Sequence, residues 1–200
     1  MTSPATPRDP VADHLLTPSN AALVVIDYQP TQVRSIQSRD RRSLVANAVA
    51  TCRTAKLYGL PVVLSTVNVA TGKNAPTIAP VADALGGATP IDRTSINSWE
   101  DEDFVRAVRA TGRKKLVMLA LWTEACLAFA ALDALRDGFE VYPVVDAVGG
   151  TSLEAHDVAM ERLIQAGAQP TSWVQFACEL QRDWSRAATA REFAEILFSF

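Results

Sequence analysis

The chain has 200 residues, 48% hydrophobic and 20% charged, a balance that describes one soluble domain with a full core. A net charge of −3 and the lack of a basic cluster exclude a surface for nucleic acid. The apolar runs are too short to span a membrane, and three cysteines without a CxxC pair fit a reducing compartment. The sequence therefore predicts a cytoplasmic protein with neither a nucleic-acid nor a membrane partner.

The sequence predicts two parts. Residues 1–20 are predicted to be a polar N-terminal arm, which lacks the basic start and apolar stretch of a secretory signal, and residues 21–200 a single domain.

The first predicted unit of the domain is a strand, a helix and a second strand. The domain begins with Ala21–Ile26, a continuous apolar run typical of a strand covered by helices on both faces. A helix over about 41–58 then leads to a second buried strand at 61–66.

The rest of the chain continues this alternation. Residues 67–98, rich in Gly, Pro, Asn and Thr, predict a long ordered loop, and such loops usually carry function. Helices are predicted over about 102–111, 126–136 and 153–166, strands over 116–121, 140–145 and 170–173, and further helices to the C-terminus. This order predicts an α/β fold, a three-layer α/β/α sandwich with a mostly parallel, Rossmann-like sheet of about six strands.

Several reactive side chains follow the predicted strands directly. Asp27, Cys126 and Asp146 are among them, and the long loop begins after Thr66. Ligands of parallel sheets bind at the carboxyl ends of the strands. We therefore expect these residues to gather at one edge of the sheet.

Cys126 stands where a predicted strand gives way to a predicted helix. A thiol in the first turn of a helix meets unpaired N–H groups and the positive end of the helix dipole, and both favour the thiolate. We therefore predict a low-pKa nucleophile at Cys126. Cys52 and Cys178 lie in apolar helical patterns that are typical of buried packing.

Asp27 needs a partner, because a carboxylate at the end of an apolar strand loses its hydration. Arg93 and Arg34 are the candidates, and the pair could be purely structural or could leave Asp27 to accept a proton from the thiol. His156 is a weaker candidate as a partner for Cys126. The loop after the second strand contains no histidine, so the sequence predicts neither a metal nor a cofactor.

Two features near the C-terminus predict packing rather than chemistry. Trp173, Phe176, Leu180 and Trp184 recur at helical spacing, which favours core or subunit contact. The apolar residues 196–200 point to burial in an oligomer.

The order of these motifs resembles a known family. Asp27, then Arg93, then the run from Trp122 to Cys126 is similar to the isochorismatase-like cysteine hydrolases, over roughly residues 21–184. Segments 93–104, 122–126 and 179–184 resemble the YcaC-like branch more narrowly. The resemblance implies hydrolysis of a small amide or related C–N bond through a thioester acyl-enzyme.

The resemblance also implies a role for each site residue. Asp27 would be the general base for the Cys126 thiol, and Arg93 would complete the triad. The backbone N–H groups of Trp122 and Cys126 would form the oxyanion hole, after a cis bond between Leu121 and Trp122. Arg93 stands where the wider family usually has lysine, and because guanidinium keeps its proton, it would orient Asp27 rather than shuttle a proton.

The remaining expectations concern the ligand and the assembly. Gln29 and Asn97 are candidate substrate contacts, the partner is a small molecule, and the resemblance implies a homo-oligomer, with an octamer as one candidate. A rival hypothesis is a thiol redox or small-molecule-binding protein, in which a low-pKa Cys126 is oxidised or alkylated without turnover. A sensor of that kind gains from a resolving cysteine nearby.

Overall fold

A computed structural model describes residues 8–199, and its centre is a parallel sheet of five strands. The strands are β1 (Ala21–Ile26), β2 (Val62–Val67), β3 (Ile91–Arg93), β4 (Lys115–Ala120) and β5 (Glu140–Pro143). They lie in the order β3-β2-β1-β4-β5, and every neighbouring pair is parallel. The central strand β1 is buried along its whole length, which explains its uninterrupted apolar run.

Helices cover both faces of the sheet. They are α1 (Pro30–Ser35), α2 (Arg41–Leu57), α3 (Ala79–Ala84), α4 (Glu102–Ala110), α5 (Ala128–Arg136), α6 (Leu153–Gln165), α7 (Trp173–Gln181) and α8 (Ala187–Leu197). A 3-10 turn, Ser98–Glu100, precedes α4, and a π-turn, Thr123–Leu127, precedes α5.

The apolar core is divided in two by the sheet. Leu23 and Val25 of β1 belong to a cluster that also contains side chains of α2, α7 and α8. Val24 and Ile26, which point to the opposite face, belong to a cluster with side chains of α4, α5 and α6. The predicted three-layer α/β/α sandwich is therefore confirmed.

Short elements account for the differences from the prediction. The sixth strand, expected at 170–173, is reduced to one parallel bridge between Val144 and Thr171. The loop expected over 67–98 contains α3 and the three-residue strand β3, and α1 was not predicted. Elements this short carry too few residues to show a hydrophobic period.

The described part of the N-terminal arm, residues 8–20, packs on the domain. Leu16 is fully buried in the core, and Asp13 forms an ion pair with Arg182 at 3.3 Å. Buried Lys115 donates from Nζ to the carbonyl oxygens of Asp13, His14 and Leu15 at 2.7, 2.7 and 3.2 Å. The ammonium group therefore ties this arm to the first residue of β4.

The aromatic residues near the C-terminus divide between core and surface. Trp173, Phe176 and Leu180 are buried, as expected, whereas Trp184 is 60% exposed and Phe198 74% exposed. The expectation for residues 196–200 falls partly on Phe200, which lies outside the described residues. Among residues 8–199, no helix has both the length and the apolar composition needed to cross a bilayer.

Candidate active site

Asp27 lies directly after β1, at the carboxyl edge of the sheet, and its side chain is fully buried. Its φ of 60° is in the left-handed region, which costs an L-residue about 1–2 kcal/mol. Two backbone hydrogen bonds hold it there: its N–H donates to the carbonyl of Ser65 at 3.0 Å, and its carbonyl accepts from the backbone N–H of Gln29 at 2.7 Å. Asp27 is therefore one of the few non-glycine residues held in a strained backbone conformation.

Arg93, at the end of β3, is the partner of Asp27. Its two terminal nitrogens donate to the two carboxylate oxygens at 2.8 and 2.7 Å, and both side chains are almost completely buried. The guanidinium also donates to Ser65 Oγ at 2.9 Å and to the carbonyls of Thr66 and Ile96 at 3.0 and 3.2 Å. The other candidate, Arg34, is exposed and donates to the carbonyl of Pro30.

The charge of Arg93 is secured by this arrangement. Burial alone would lower the pKa of Arg93, but the hydrogen bonds and negative charge of Asp27 outweigh it and raise the pKa. Arg93 therefore keeps its charge, and it cannot take part in proton transfer.

Cys126 lies in the π-turn and is 6% exposed. Burial raises the pKa of its thiol well above the usual range, and the charge of Asp27 and a hydrogen bond with Asp27 raise it further. Arg93 and the backbone N–H of Trp122 act in the opposite direction but do not offset these effects. The expectation of a low pKa is therefore wrong: Cys126 rests as a neutral thiol within hydrogen-bonding reach of the Asp27 carboxylate.

The error has a physical cause. The helix end is visible in the sequence, but the low exposure of the thiol and the nearby carboxylate arise only in the folded chain, and both raise the pKa of a thiol. The expected start of an α-helix is also a π-turn, in which the Leu127 N–H donates to the Trp122 carbonyl at 3.1 Å. The first regular α-helical residue comes only at Ala128.

The turn that carries Cys126 is held from several sides. The Leu121–Trp122 peptide bond is cis, as the resemblance implied. The Thr123 N–H donates to the carbonyl of Gly149 at 3.0 Å, and Glu124 Oε1 accepts from the N–H and hydroxyl of Thr151 at 2.9 and 2.6 Å. These contacts restrain the backbone of the turn between the cis bond and Cys126.

Gln29 and Asn97, the candidate substrate contacts, are both buried and bonded to the protein. Gln29 accepts from the N–H of Val67 at 2.9 Å and donates to the carbonyls of Val67 and Ala75 at 3.1 and 2.6 Å. Asn97 donates to the Asp133 carboxylate at 2.8 Å. Each side chain therefore anchors a loop beside the site, and contact with a substrate remains a prediction.

The sequence did not indicate two residues that hold Arg93 and the loop after β2 in place. Ser65 Oγ accepts from Arg93 and donates to the carbonyl of Ile91 at 2.9 Å, which holds the guanidinium beneath Asp27. Asp92 accepts from the N–H groups of Val69 and Ala70 at 3.1 and 2.8 Å, which fixes the loop after β2. Asp92 adjoins Arg93 in the sequence, whereas Ser65 lies inside β2, where a serine in an apolar strand was the only signal.

The other predicted edge residues lie apart from the thiol. Asp146 accepts from the N–H of Trp173 at 2.9 Å, and His156 contacts Thr123 rather than Cys126. Across residues 8–199, no three side chains of the His, Cys, Asp and Glu types are grouped so that they could share a metal ion.

The fold and the site define the class of protein as a parallel α/β sandwich with a candidate active site at the carboxyl edge of its sheet, where a buried carboxylate, a guanidinium and a thiol come together. The model of the isochorismatase domain matches residues 21–175. The chain therefore belongs to the isochorismatase-like hydrolase family.

Within this family the chain is similar to YcaC. It is 38% identical to the probable hydrolase YcaC of Escherichia coli K12 over 170 residues, which cover 84% of this chain and 81% of the relative. The structure of YcaC from Pseudomonas aeruginosa with hexane-2,5-diol and covalent acrylamide is 32% identical, has a TM-score of 0.83, and is matched over 94% of this chain and 97% of its own. The structure of Escherichia coli YcaC, an octameric hydrolase of unknown specificity, is 33% identical, with a TM-score of 0.82 and coverage of 94% and 96%.

Proposed function

We propose that this hydrolase cleaves a small amide or a related C–N bond through a thioester on Cys126. The observation that carries the proposal is the position of the Asp27 carboxylate, which is held by both terminal nitrogens of Arg93 and lies against the thiol. A neutral thiol is a weak nucleophile, and a neighbouring base can activate it by accepting its proton. Asp27 is the base that the site supplies.

The first half of the reaction forms the acyl-enzyme. Cys126 Sγ attacks the carbonyl carbon of the substrate, and its proton passes to Asp27. The tetrahedral intermediate then collapses as the C–N bond breaks, and Asp27 returns the proton to the departing nitrogen. An amine leaves, and the acyl group remains on sulfur as a thioester.

The second half restores the enzyme. A water molecule gives a proton to Asp27 and adds to the thioester carbonyl, after which the C–S bond breaks and the thiolate takes back the proton. A carboxylic acid is released, or a carbamic acid if the substrate is a urea-like compound. Arg93 keeps its charge throughout, so its role is to orient Asp27 and to offset the negative charge beside it.

The backbone N–H groups of Trp122 and Cys126 serve in this proposal as the oxyanion hole. The backbone N–H of Trp122 lowers the pKa of the Cys126 thiol against the larger effect of burial, and this influence on the sulfur supports its role as a donor to the developing oxyanion. One donor of this kind contributes typically about 3 kcal/mol to lowering the barrier. Gln29 and Asn97 remain candidates for substrate contact, and either would have to release a bond to the protein.

The proposal extends to assembly. The octameric state of Escherichia coli YcaC and the exposed Trp184 and Phe198 of this chain support a homo-oligomer. Sedimentation equilibrium measures the mass of the assembly directly, and a monomer at micromolar concentration would reject this part of the proposal.

Mass spectrometry of the intact protein tests the reaction. The wild type and Cys126→Ala are incubated with a panel of small amides, carbamates and activated esters, and adduct mass and released product are followed together. We expect a transient acyl mass on the wild type, together with product, and neither on the variant. Product formation by both proteins at the same rate, or oxidation of Cys126 as the only change across the panel, would reject the thioester mechanism.

A further inference from the structure

Behind the turn that carries Cys126 lies a chain of three polar side chains, two of them buried and the third partly buried. Thr123 lies fully buried in the π-turn, and its hydroxyl oxygen is 2.8 Å from His156 Nδ1. His156 lies on α6 and is 6% exposed, and its Nε2 is 3.1 Å from a terminal nitrogen of Arg39. Arg39 stands just before α2, so the chain links three separate elements.

The chemistry of arginine fixes the protonation of His156. A guanidinium has only donors, so the Arg39 N–H must donate and His156 Nε2 must accept. A histidine that accepts at one nitrogen is neutral and carries its single proton on the other. His156 Nδ1–H therefore donates to Thr123 Oγ1.

The charged neighbours of His156 agree with this assignment. Burial lowers its pKa, the positive charge of Arg39 lowers it further, and Asp157 on the same helix and Glu124 in the π-turn oppose the shift without reversing it. Protonation of His156 would place two donors face to face at 3.1 Å and break the contact with Arg39.

Thr123 follows Trp122 directly in the turn that carries Cys126, so contacts that hold Thr123 restrain the backbone on both sides of it. The backbone N–H of Thr123 donates to the carbonyl of Gly149 at 3.0 Å. Among the described residues, His156 is the hydrogen-bond partner of the Thr123 hydroxyl. The loop between these contacts leaves no spare room, because a Cβ on Gly150 would lie 3.2 Å from His156 Cβ and 3.1 Å from its backbone nitrogen.

We propose that His156, held neutral between Arg39 and Thr123, is a positioning residue that keeps the Trp122 N–H directed at the sulfur of Cys126. The inference rests on the proposed role of Cys126 as the reacting group. It does not require that a substrate be known, because alkylation of the thiol reports on the same N–H. An N–H that donates to sulfur stabilises the thiolate, so loss of this contact raises the pH at which the thiol becomes reactive.

Alkylation by iodoacetamide tests the proposal. The rate at Cys126 is measured by peptide mass spectrometry from pH 6 to 11 in a Cys178→Ser background, since Cys178 is exposed and would compete. In His156→Leu and Thr123→Val, we expect the rise of the rate to move to higher pH by about one unit, the effect of losing one hydrogen bond to the thiolate. His14→Leu, which removes an imidazole that is 75% exposed, is the control and should keep the parental profile.

Two finer variants separate positioning from general damage. His156→Asn keeps a donor near the place of Nδ1 for Thr123, whereas His156→Gln keeps a group near the place of Nε2 for Arg39. The proposal expects Asn to retain the parental profile and Gln to shift like Leu. A parental profile in His156→Leu or Thr123→Val overturns it, and so do equal shifts in Asn and Gln. If no substrate is turned over but these shifts appear, the proposed hydrolysis fails while the positioning role stands.

Discussion

Arg93 reaches Asp27 across an intervening strand: Arg93 ends β3, Asp27 follows β1, and β2 lies between them. Neighbouring strands are about 4.8 Å apart, so the side chain must span roughly two such spacings in the direction of the hydrogen bonds. The long guanidinium side chain satisfies this geometry, and it also donates to Ser65 Oγ and to the carbonyl of Thr66, both in the intervening strand β2. The site is therefore built from three adjacent strands, with the thiol supplied by the turn after β4.

The first prediction concerns Arg93. We expect Arg93→Lys to keep part of the activity, because an ammonium supplies the charge but only a single contact in place of the paired one. Arg93→Ala should lose most of it, by about a hundredfold or more, and should lower the free energy of unfolding by about 3–5 kcal/mol because the buried Asp27 loses its counterion. Turnover and urea unfolding measure the two effects. Equal activity in the wild type and both variants would contradict the assignment.

The second prediction separates the two effects of Asp27 on Cys126. The negative charge of Asp27 raises the pKa of the thiol, so Asp27→Asn should lower that pKa and move the rise of iodoacetamide alkylation to lower pH. The same substitution removes the proposed base, so hydrolysis should fall. Opposite changes in alkylation at pH 7 and in turnover are the expected result. A parallel fall in both, in protein shown to be folded by circular dichroism, would contradict the role of Asp27 as base.

Sequence and structure agree on the site more closely in position than in chemistry. The strand before Asp27 and the one before Cys126 are predictable because strands buried on both faces are continuously apolar. The pKa of Cys126 is not predictable, because it depends on exposure and on a carboxylate 99 residues earlier in the chain. Cys178 shows the same limit: its apolar surroundings predict burial, yet it lies on the exposed side of α7.

The third prediction concerns the pH dependence of stability. The folded pKa of His156 lies below the ordinary value of 6.5, so between these two pKa values the unfolded chain binds more protons than the folded one. The free energy of unfolding should therefore fall as the pH drops from about 7 through the range below 6.5, and level off below the folded pKa. Urea titrations at several pH values measure this slope. His156→Asn should flatten it, and an unchanged slope in that variant would assign the effect elsewhere.

The fourth prediction concerns Lys115 and the N-terminal arm. The three carbonyls that accept from Nζ belong to consecutive residues, and the side chain is 5% exposed, so Lys115→Met leaves buried acceptors without their donor. We expect a loss of about 3 kcal/mol in the free energy of unfolding, in the range of hydrogen bonds to charged groups. The neighbouring and exposed Lys114 supplies the control, because Lys114→Met removes the same charge from the same strand region. Equal losses in the two variants would show that the bonds to the arm contribute nothing.

The fifth prediction weighs the rival redox hypothesis. Cys126 packs in the cluster on the α4, α5 and α6 side of the sheet, whereas Cys52 packs in the cluster on the other side. Cys178 lies on α7, which also covers that other side, and burial raises the pKa of Cys52 to about 12. A disulfide between Cys126 and either residue would have to pass through the sheet, so no resolving cysteine is within reach of the folded protein.

Brief treatment of the folded protein with hydrogen peroxide, followed by non-reducing peptide mass spectrometry, measures this directly. We expect no disulfide that joins Cys126 to Cys52 or Cys178, and slow oxidation of Cys126 compared with the exposed Cys178, because the thiolate is the form that reacts and the raised pKa of Cys126 keeps it scarce. Treatment in urea provides the control, since unfolding removes the sheet as a barrier and should permit these disulfides. An internal disulfide formed rapidly without denaturant would instead favour a redox function, because it would require Cys126 to be both reactive and mobile in the folded chain.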